Sequence, residues 1–379
     1  MKICFISHSS DKYGAERALL ELIDIIKEKI ECYVILPRSG PLIDEFRKRN
    51  ITFSIFPYRW WMGKKYPRWK RFARIILNFF TWIPIALRIK LWKCDIVYTN
   101  TVTICVGALA AKLLKLPHIW HIHEFGYEHH GLVFDFGEKF SYWFIKNFSN
   151  VVIINSYAVA KKYSQYIPSS KIKVIYQAVD VPHEVINKEV QILKNRKFSC
   201  AIIGSLQEGK RQEEAILAIK ELLDKGLDVE LFIIGKGNPT YEKYLRDLVS
   251  KNNLDNYVKF LGYIDNPFPY IKAVNAILLC SRFEAFGRIT IEAMKMGTPV
   301  IGAKSGGTME LIKEGFNGFL YTPGDYKELA EKIVFLYQHP EVAREIGENA
   351  KKWAEQQFTR ERYRNEVLTI LNNLYLIKK

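Results

Sequence analysis

The chain is short of several things, and each shortage narrows what it can be. It has no Cys-x-x-Cys pair. Its six cysteines (Cys4, Cys32, Cys94, Cys105, Cys200 and Cys280) are scattered through apolar stretches, which excludes a zinc ribbon or dithiol motif and fits reduced thiols in core strands. No uninterrupted apolar run reaches the ~20 residues of a membrane span. The chain enters a strand pattern at Lys2, so no leader peptide is expected. The glycine-rich phosphate loop of dinucleotide enzymes is missing after that strand, which argues against hydride transfer. No nucleic-acid-binding module, internal repeat or low-complexity segment is recognisable. Acidic residues are scarce: 40 against 56 Lys and Arg, a net charge of +16 that calls for an anionic partner.

What is present is an alternation of strands and helices. The 379 residues suffice for two domains, each with its own core. Lys2 to His8, Glu31 to Leu36 and Ile51 to Phe56 read as strands, with amphipathic helices over 16–28 and 42–49 between them, a doubly wound pattern. Further strands are expected at Asp95–Asn100, 116–124, 151–155 and 172–176. Val181 to Lys197 is polar, without a core pattern, and reads as a linker. Strands then recur at 198–204, 229–234 and 258–264.

The second half converges on residues 276–310. Ala276 to Cys280 is a buried strand, 281–287 a turn, Arg288 to Met296 a helix stopped by Gly297-Thr298-Pro299, and Val300-Ile301-Gly302 the next strand. The turn sits at the carboxyl end of a parallel strand, where such sheets bind ligands. Phe286, Gly287 and Arg288 would offer free amides at a helix N-terminus, an anion site suited to a diphosphate. Glu284 and Glu292 are separated by seven residues. This E-x7-E, in the setting S-x-x-E-A-F-G-x-x-x-x-E-A-M-x-x-G-x-P-V-I, resembles the signature of the family-4 retaining glycosyltransferases of GT-B fold.

The resemblance implies an α/β architecture of two doubly wound Rossmann-like domains facing across a cleft. They are expected at 1–182 (acceptor-binding) and 183–358 (nucleotide-sugar-binding), with a helix over 359–379 crossing back to the first. It implies transfer of a sugar, with retention and without a metal, from a UDP- or GDP-type donor. Glu284 would hold sugar hydroxyls and Glu292 the ribose. Lys210, in a stretch similar to the family's G-R-x-x-x-x-K-G, would hold the diphosphate. Ser205 stands where that motif has arginine, and Arg211 is a candidate to restore the charge. Gly235 and Gly262 match glycines that pack on the nucleoside. Tyr13-Gly14-Ala15-Glu16 resembles G-G-A-E, so Gly14 would approach the donor. His123, at a strand end before Glu124, resembles the histidine that reaches the reacting sugar. His121, on the same side of that strand, is the alternative. His129 and His130 have no partner group of matching spacing, and no cofactor is expected. Gln177-Ala178-Val179-Asp180 matches the family's N-G-V-D only at its last two positions, so Gln177 receives no role.

Tyr58 to Lys93 stands apart, with ten Lys or Arg, no Asp or Glu, and five of the eight tryptophans. Phe72, Ile75, Ile76, Phe79, Phe80 and Ile83 share a helical face, expected to pack on the sheet. Trp60, Trp61, Lys64, Lys65, Arg68 and Trp69 are expected in a surface loop touching an anionic membrane or a lipid-linked acceptor. The expectation is therefore a peripheral enzyme on the cytoplasmic face of the membrane, in polysaccharide or glycolipid synthesis. The competing readings are a GT-B nucleotide-sugar epimerase and a silent GT-B scaffold.

Overall fold

A computed structural model describes residues 1–64, 67–127, 131–182 and 197–378. The chain forms two compact units, Met1–Ala178 with Arg360–Lys379, and Val179–Thr359.

The first unit is built on a seven-stranded sheet. Its strands are β1 (Lys2–Ile6), β2 (Glu31–Leu36), β3 (Thr52–Ile55), β5 (Ile96–Asn100), β6 (His118–Ile122), β8 (Val151–Ile154) and β9 (Ile172–Val174), in the order β3-β2-β1-β5-β6-β8-β9. All pairs are parallel. The central strands are buried on both faces, which is why Cys4-Phe5-Ile6 and Ile96-Val97-Tyr98 read as continuous apolar runs rather than alternations. The helix Arg360–Lys378 belongs to this unit and packs Tyr363, Val367 and Leu371 into the core beside α1 (Gly14–Ile26).

The second unit repeats the plan with β10 (Phe198–Ile203), β11 (Val229–Ile234), β12 (Val258–Gly262), β13 (Ala276–Leu279), β14 (Val300–Ala303) and β15 (Phe319–Tyr321). Their order is β12-β11-β10-β13-β14-β15, all parallel. In each sheet the order reverses beside the first strand, between β1 and β5 and between β10 and β13. Connections there diverge to opposite faces and leave a crevice at the strands' carboxyl ends.

The structure overturns the expectation for the basic tryptophan segment. Trp61 is no surface residue: it is 2% exposed. It precedes the short strand β4 (Met62–Gly63), which pairs antiparallel with β7 (Val133–Phe134). Its indole N–H donates to the Val102 carbonyl at 2.6 Å, and its ring stacks on Trp120 and meets Phe134 and Phe144 edge-on. A buried indole with its one donor satisfied is a core group. Trp60 and Lys64 are exposed, as is Trp69. Lys65 lies outside the described residues, and Arg68 begins a helix.

That helix, α3 (Arg68–Leu91), faces the other way from the expectation. Phe72, Phe79 and Phe80 are 63, 61 and 66% exposed, and Ile76 and Ile83 are exposed too. The inward face instead carries Arg74, Asn78, Thr81, Ile85, Ala86 and Ile89. Arg74 pairs with Asp135 and reaches the Met62 carbonyl, while Asn78 closes a two-way amide pair with the Arg59 backbone at 2.8 and 2.9 Å. Helical periodicity defines an apolar stripe but not which way it turns. Here the polar stripe found partners inside the fold, and α4 (Val106–Leu114) packs beside it. Trp69–Leu91 is also long and apolar enough to cross a membrane, which a search for uninterrupted runs misses because its few polar residues are spread out.

Candidate active site

The second unit's crevice is formed by the loops after β10 and β13. The loop after β10 runs through Ser205 to a short 3-10 turn, Glu208–Lys210, and then to the helix Gln212–Asp224. The Arg282 amide donates to the Gly209 carbonyl at 2.9 Å, tying this loop to the turn after β13. Lys210 and Glu284 are brought together: Nζ lies 2.7 Å from Oε2. Ser281 donates to the same oxygen at 2.8 Å. Glu284 is buried, so a carboxylate held by an ammonium and a hydroxyl is a fixed charge in a desolvated setting.

The turn is held from behind. The Gly307 amide donates to the Glu284 carbonyl at 2.7 Å. Gly306 has φ +52°, and a Cβ there would sit 2.1 Å from the Glu284 carbonyl oxygen. Only glycine lets the two backbones meet this way. Gly287, at φ +82°, leads into the helix Arg288–Lys295, whose second turn carries buried Glu292. The Phe286 ring packs toward Phe358, so only its backbone is presented to a ligand. Arg288 is half-buried at the helix start. On the other side, the Gly235 amide donates to the Gly262 carbonyl at 2.7 Å, joining the ends of β11 and β12.

Ser205 is exposed, and its carbonyl accepts from Gln212 Nε2 at 3.0 Å. Arg211 does not stand open for a diphosphate. In left-handed conformation at φ +51°, it turns its guanidinium onto Glu214, which also binds the Tyr321 hydroxyl at 2.7 Å and the Gly324 amide at 3.1 Å. Burial raises the Glu214 pKa, and these hydrogen bonds, with Arg211 nearby, oppose the rise.

In the first unit, His123 follows β6. Its Nε2 is 2.7 Å from Asn100 Oδ1 and its Nδ1 is 2.7 Å from Gln177 Nε2. Asn100 Nδ2 donates to the Ala15 carbonyl, which fixes the Asn100 amide and makes its oxygen face the imidazole. With the Gln177 amide nitrogen facing it, the ring donates from Nε2 and accepts at Nδ1. Both nitrogens are engaged, so the ring is an oriented dipole rather than an open proton acceptor. His121 lies behind it with ring centroids 4.0 Å apart, its Nδ1 2.7 Å from the Tyr98 hydroxyl. Burial pushes its pKa down to about 3. Glu124 caps the cluster, accepting from the Val102 and His123 amides at 3.0 Å each, and burial pushes it up to about 7. Gly14 opens α1 behind exposed Tyr13, and buried Glu16 on the same helix lies 3.2 Å from His8 Nε2. The Trp60 indole donates to the His8 carbonyl at 2.8 Å. His129 and His130 lie outside the described residues.

Sequence reasoning assigned no partner role to Ser281, Gln177 or Asn100. Ser281 had a signal, since a serine three residues before a turn carboxylate can reach it. Gln177 had none, because its partner His123 is 54 residues away.

Residues 184–353 match the family model of glycosyl transferases group 1, and residues 13–182 match that of Glycosyltransferase Family 4. The chain belongs to this family of glycosyltransferases. It is 28% identical over 229 residues to the N-acetyl-alpha-D-glucosaminyl L-malate synthase of Bacillus anthracis, a match covering 59% of each chain. It is 25% identical over 184 residues to the capsular polysaccharide biosynthesis glycosyltransferase CapM of Staphylococcus aureus, covering 48% of each. Both matches thus span less than two thirds of those relatives. Among solved structures, Anabaena Alr3699/HepE in complex with UDP-glucose superposes with TM-score 0.83 at 26% identity, covering 98% of this chain and 100% of that one. The fold is GT-B, with two Rossmann-like domains.

Proposed function

We propose that the protein is a retaining glycosyltransferase that moves a sugar from a nucleotide-diphosphate sugar to a glycan acceptor. The observation that carries this is the Lys210–Glu284–Ser281 cluster at the strand-order reversal of the second unit, beside the N-terminus of the helix Arg288–Lys295. A donor diphosphate draws Lys210 to itself and releases Glu284 Oε2 to the sugar hydroxyls. Lys210 and the Gly287–Arg288 amides then stabilise charge growing on the leaving diphosphate while the sugar becomes cation-like. Glu292 takes the ribose hydroxyls. The two glutamates are not the acid and nucleophile of a retaining glycosidase, which need carboxyls ~5–5.5 Å apart across one bond. Glu284 lies in the turn before the helix and Glu292 in its second turn, each with its own part of the donor. A front-face route without a metal, in which the departing phosphate takes the acceptor's proton, suits this equipment.

A UDP-type donor is favoured by the HepE complex. CapM, a capsular polysaccharide biosynthesis enzyme by name, supports a role in polysaccharide synthesis; a lipid-linked acceptor at the cytoplasmic membrane face is part of the same proposal. In this reading His123, in the first unit, serves the acceptor. The test is Glu284→Ala against a panel of nucleotide sugars. Transfer should fall at least ~100-fold with the melting temperature nearly unchanged; near-normal turnover would remove Glu284 from the mechanism. Conversion of donor to an isomer with no acceptor present would favour an epimerase.

A further inference from the structure

Among the described residues, nothing covers the outer face of α3. Trp69, Phe72, Ile76, Phe79, Phe80 and Leu87 are all exposed. At 100° per residue they fall within an arc of about 100° along a helix of roughly 36 Å. Soluble surfaces rarely present so continuous an apolar stripe. Lys70 and Arg88 flank it on one side, and the segment from Tyr58 to Lys93 contains no acidic residue. Asp135, the partner of Arg74, is followed by Phe136, which with Phe140 and Trp143 adds further exposed aromatics near the start of the helix Glu138–Phe148.

We propose that this face of α3 lies in the interface of an anionic lipid bilayer, with the helix axis parallel to the membrane plane. The occupant follows from charge and pattern together. Apolar side chains with aromatic ends and a basic flank match acyl chains below and anionic headgroups beside them. A second protein surface would not call for a segment without a single carboxylate.

The helix is long enough to span a bilayer, but its inner face forbids it. Arg74 is tied to buried Asp135 and Asn78 to the Arg59 backbone, while Ile85, Ala86 and Ile89 pack among Cys4, Ile6, Ile35 and Val97 of the sheet. Spanning would strip these groups from their partners and put an arginine and an asparagine into hydrocarbon. Lying flat uses the apolar stripe and leaves the core intact. The proposal rests on the reading of a membrane-presented acceptor for its purpose, but its test needs neither donor nor acceptor.

The protein is sedimented with phosphatidylcholine vesicles containing about one quarter phosphatidylglycerol, and with pure phosphatidylcholine vesicles. Binding should require the anionic lipid and weaken as salt is raised. Lipids brominated near the headgroup should quench tryptophan emission in wild type more than in Trp69→Tyr. The double variant Phe79→Glu/Phe80→Glu, whose side chains touch no core, should melt as wild type does and bind at least ~10-fold more weakly. No binding, or undiminished binding by this variant, overturns the proposal. So does a vesicle-silent protein whose concentration-dependent dimer the same variant dissolves, because the face would then belong to a second copy. Resistance of bound protein to alkaline extraction would overturn the flat orientation. A protein that binds vesicles but transfers no sugar would sink the activity reading and leave this one standing.

Discussion

Glu284 is a charged group whose position depends on a residue with no side chain. Gly306 combines a left-handed φ with a contact that admits no Cβ, since an added methyl would meet the Glu284 carbonyl oxygen at 2.1 Å. Gly324 has a similar φ of +93° but open space around it. Alanine at either site carries a backbone cost of ~1–2 kcal/mol. Only Gly306→Ala should also displace the carboxylate, weakening nucleotide-sugar binding by ~10-fold or more in calorimetry. Equal binding by the two variants would mean the contact does not position Glu284. At this scale the sequence was partly legible. Glu284, Lys210 and Glu292 could be singled out because they stand at positions of the motifs that carry the resemblance. Their mutual partners could not, because the Lys210–Glu284 pair spans 74 positions and depends on how two loops meet. Arg211 shows the same limit: its suitability for a diphosphate was legible, and its engagement by Glu214 was not.

Among the elements, α3 reverses the usual relation between polarity and burial. Its polar residues anchor it and its phenylalanines face outward, so mutational costs should be inverted. Arg74→Ala leaves the nearly inaccessible Asp135 carboxylate without its cation, at a cost of ~3–5 kcal/mol. Phe72→Ser removes an exposed ring and should change stability by less than ~0.5 kcal/mol. Denaturant unfolding of the two variants measures both, and the opposite ranking would mean that the helix packs with its phenylalanines inward. The strands of both sheets other than β15 were legible because apolar runs between turn residues fit parallel strands in a covered sheet. The orientation of α3 was not, because amphipathicity is symmetric between an inner and an outer solvent when the outer solvent can also be apolar. Trp61 and Trp69 are eight residues apart in one basic segment, yet one lies in the core and the other outside.

Over the whole molecule, titration should distinguish the two units. His118 and His121 are held neutral by burial, each with its pKa pushed down to about 3. Their contribution is fully present above the ordinary histidine value of about 6.5 and is lost as pH falls below it, by ~2 kcal/mol per residue at pH 5. Glu124 acts in the opposite direction. Its pKa is raised, so its contribution is complete below the ordinary carboxyl value and is lost as pH rises through about 7. Below pH 6.5 the two histidines outweigh the one glutamate, so the first unit should lose stability as pH falls from 7 to 5. Glu214 gives the second unit the same loss toward high pH, but the second unit has no buried histidine among the described residues. Seven of the eight tryptophans lie in the first unit, so their emission follows that unit. On going from pH 7 to pH 5, the fluorescence-detected melting point should fall by more than the second calorimetric transition. A parallel fall would mean that the histidines do not carry the acid sensitivity.

The six thiols give the protein an unplanned chemical property. Every one is buried, and burial pushes Cys32 and Cys105 up to about 12, far from the thiolate form that reacts with alkylating reagents. The native protein should thus be almost silent to maleimides, while each unfolding event would expose several thiols at once. A single cysteine introduced on the outer stripe of α3 could then be labelled selectively in the wild-type background. The protein would need no cysteine-free variant before a spin label or fluorophore could be attached.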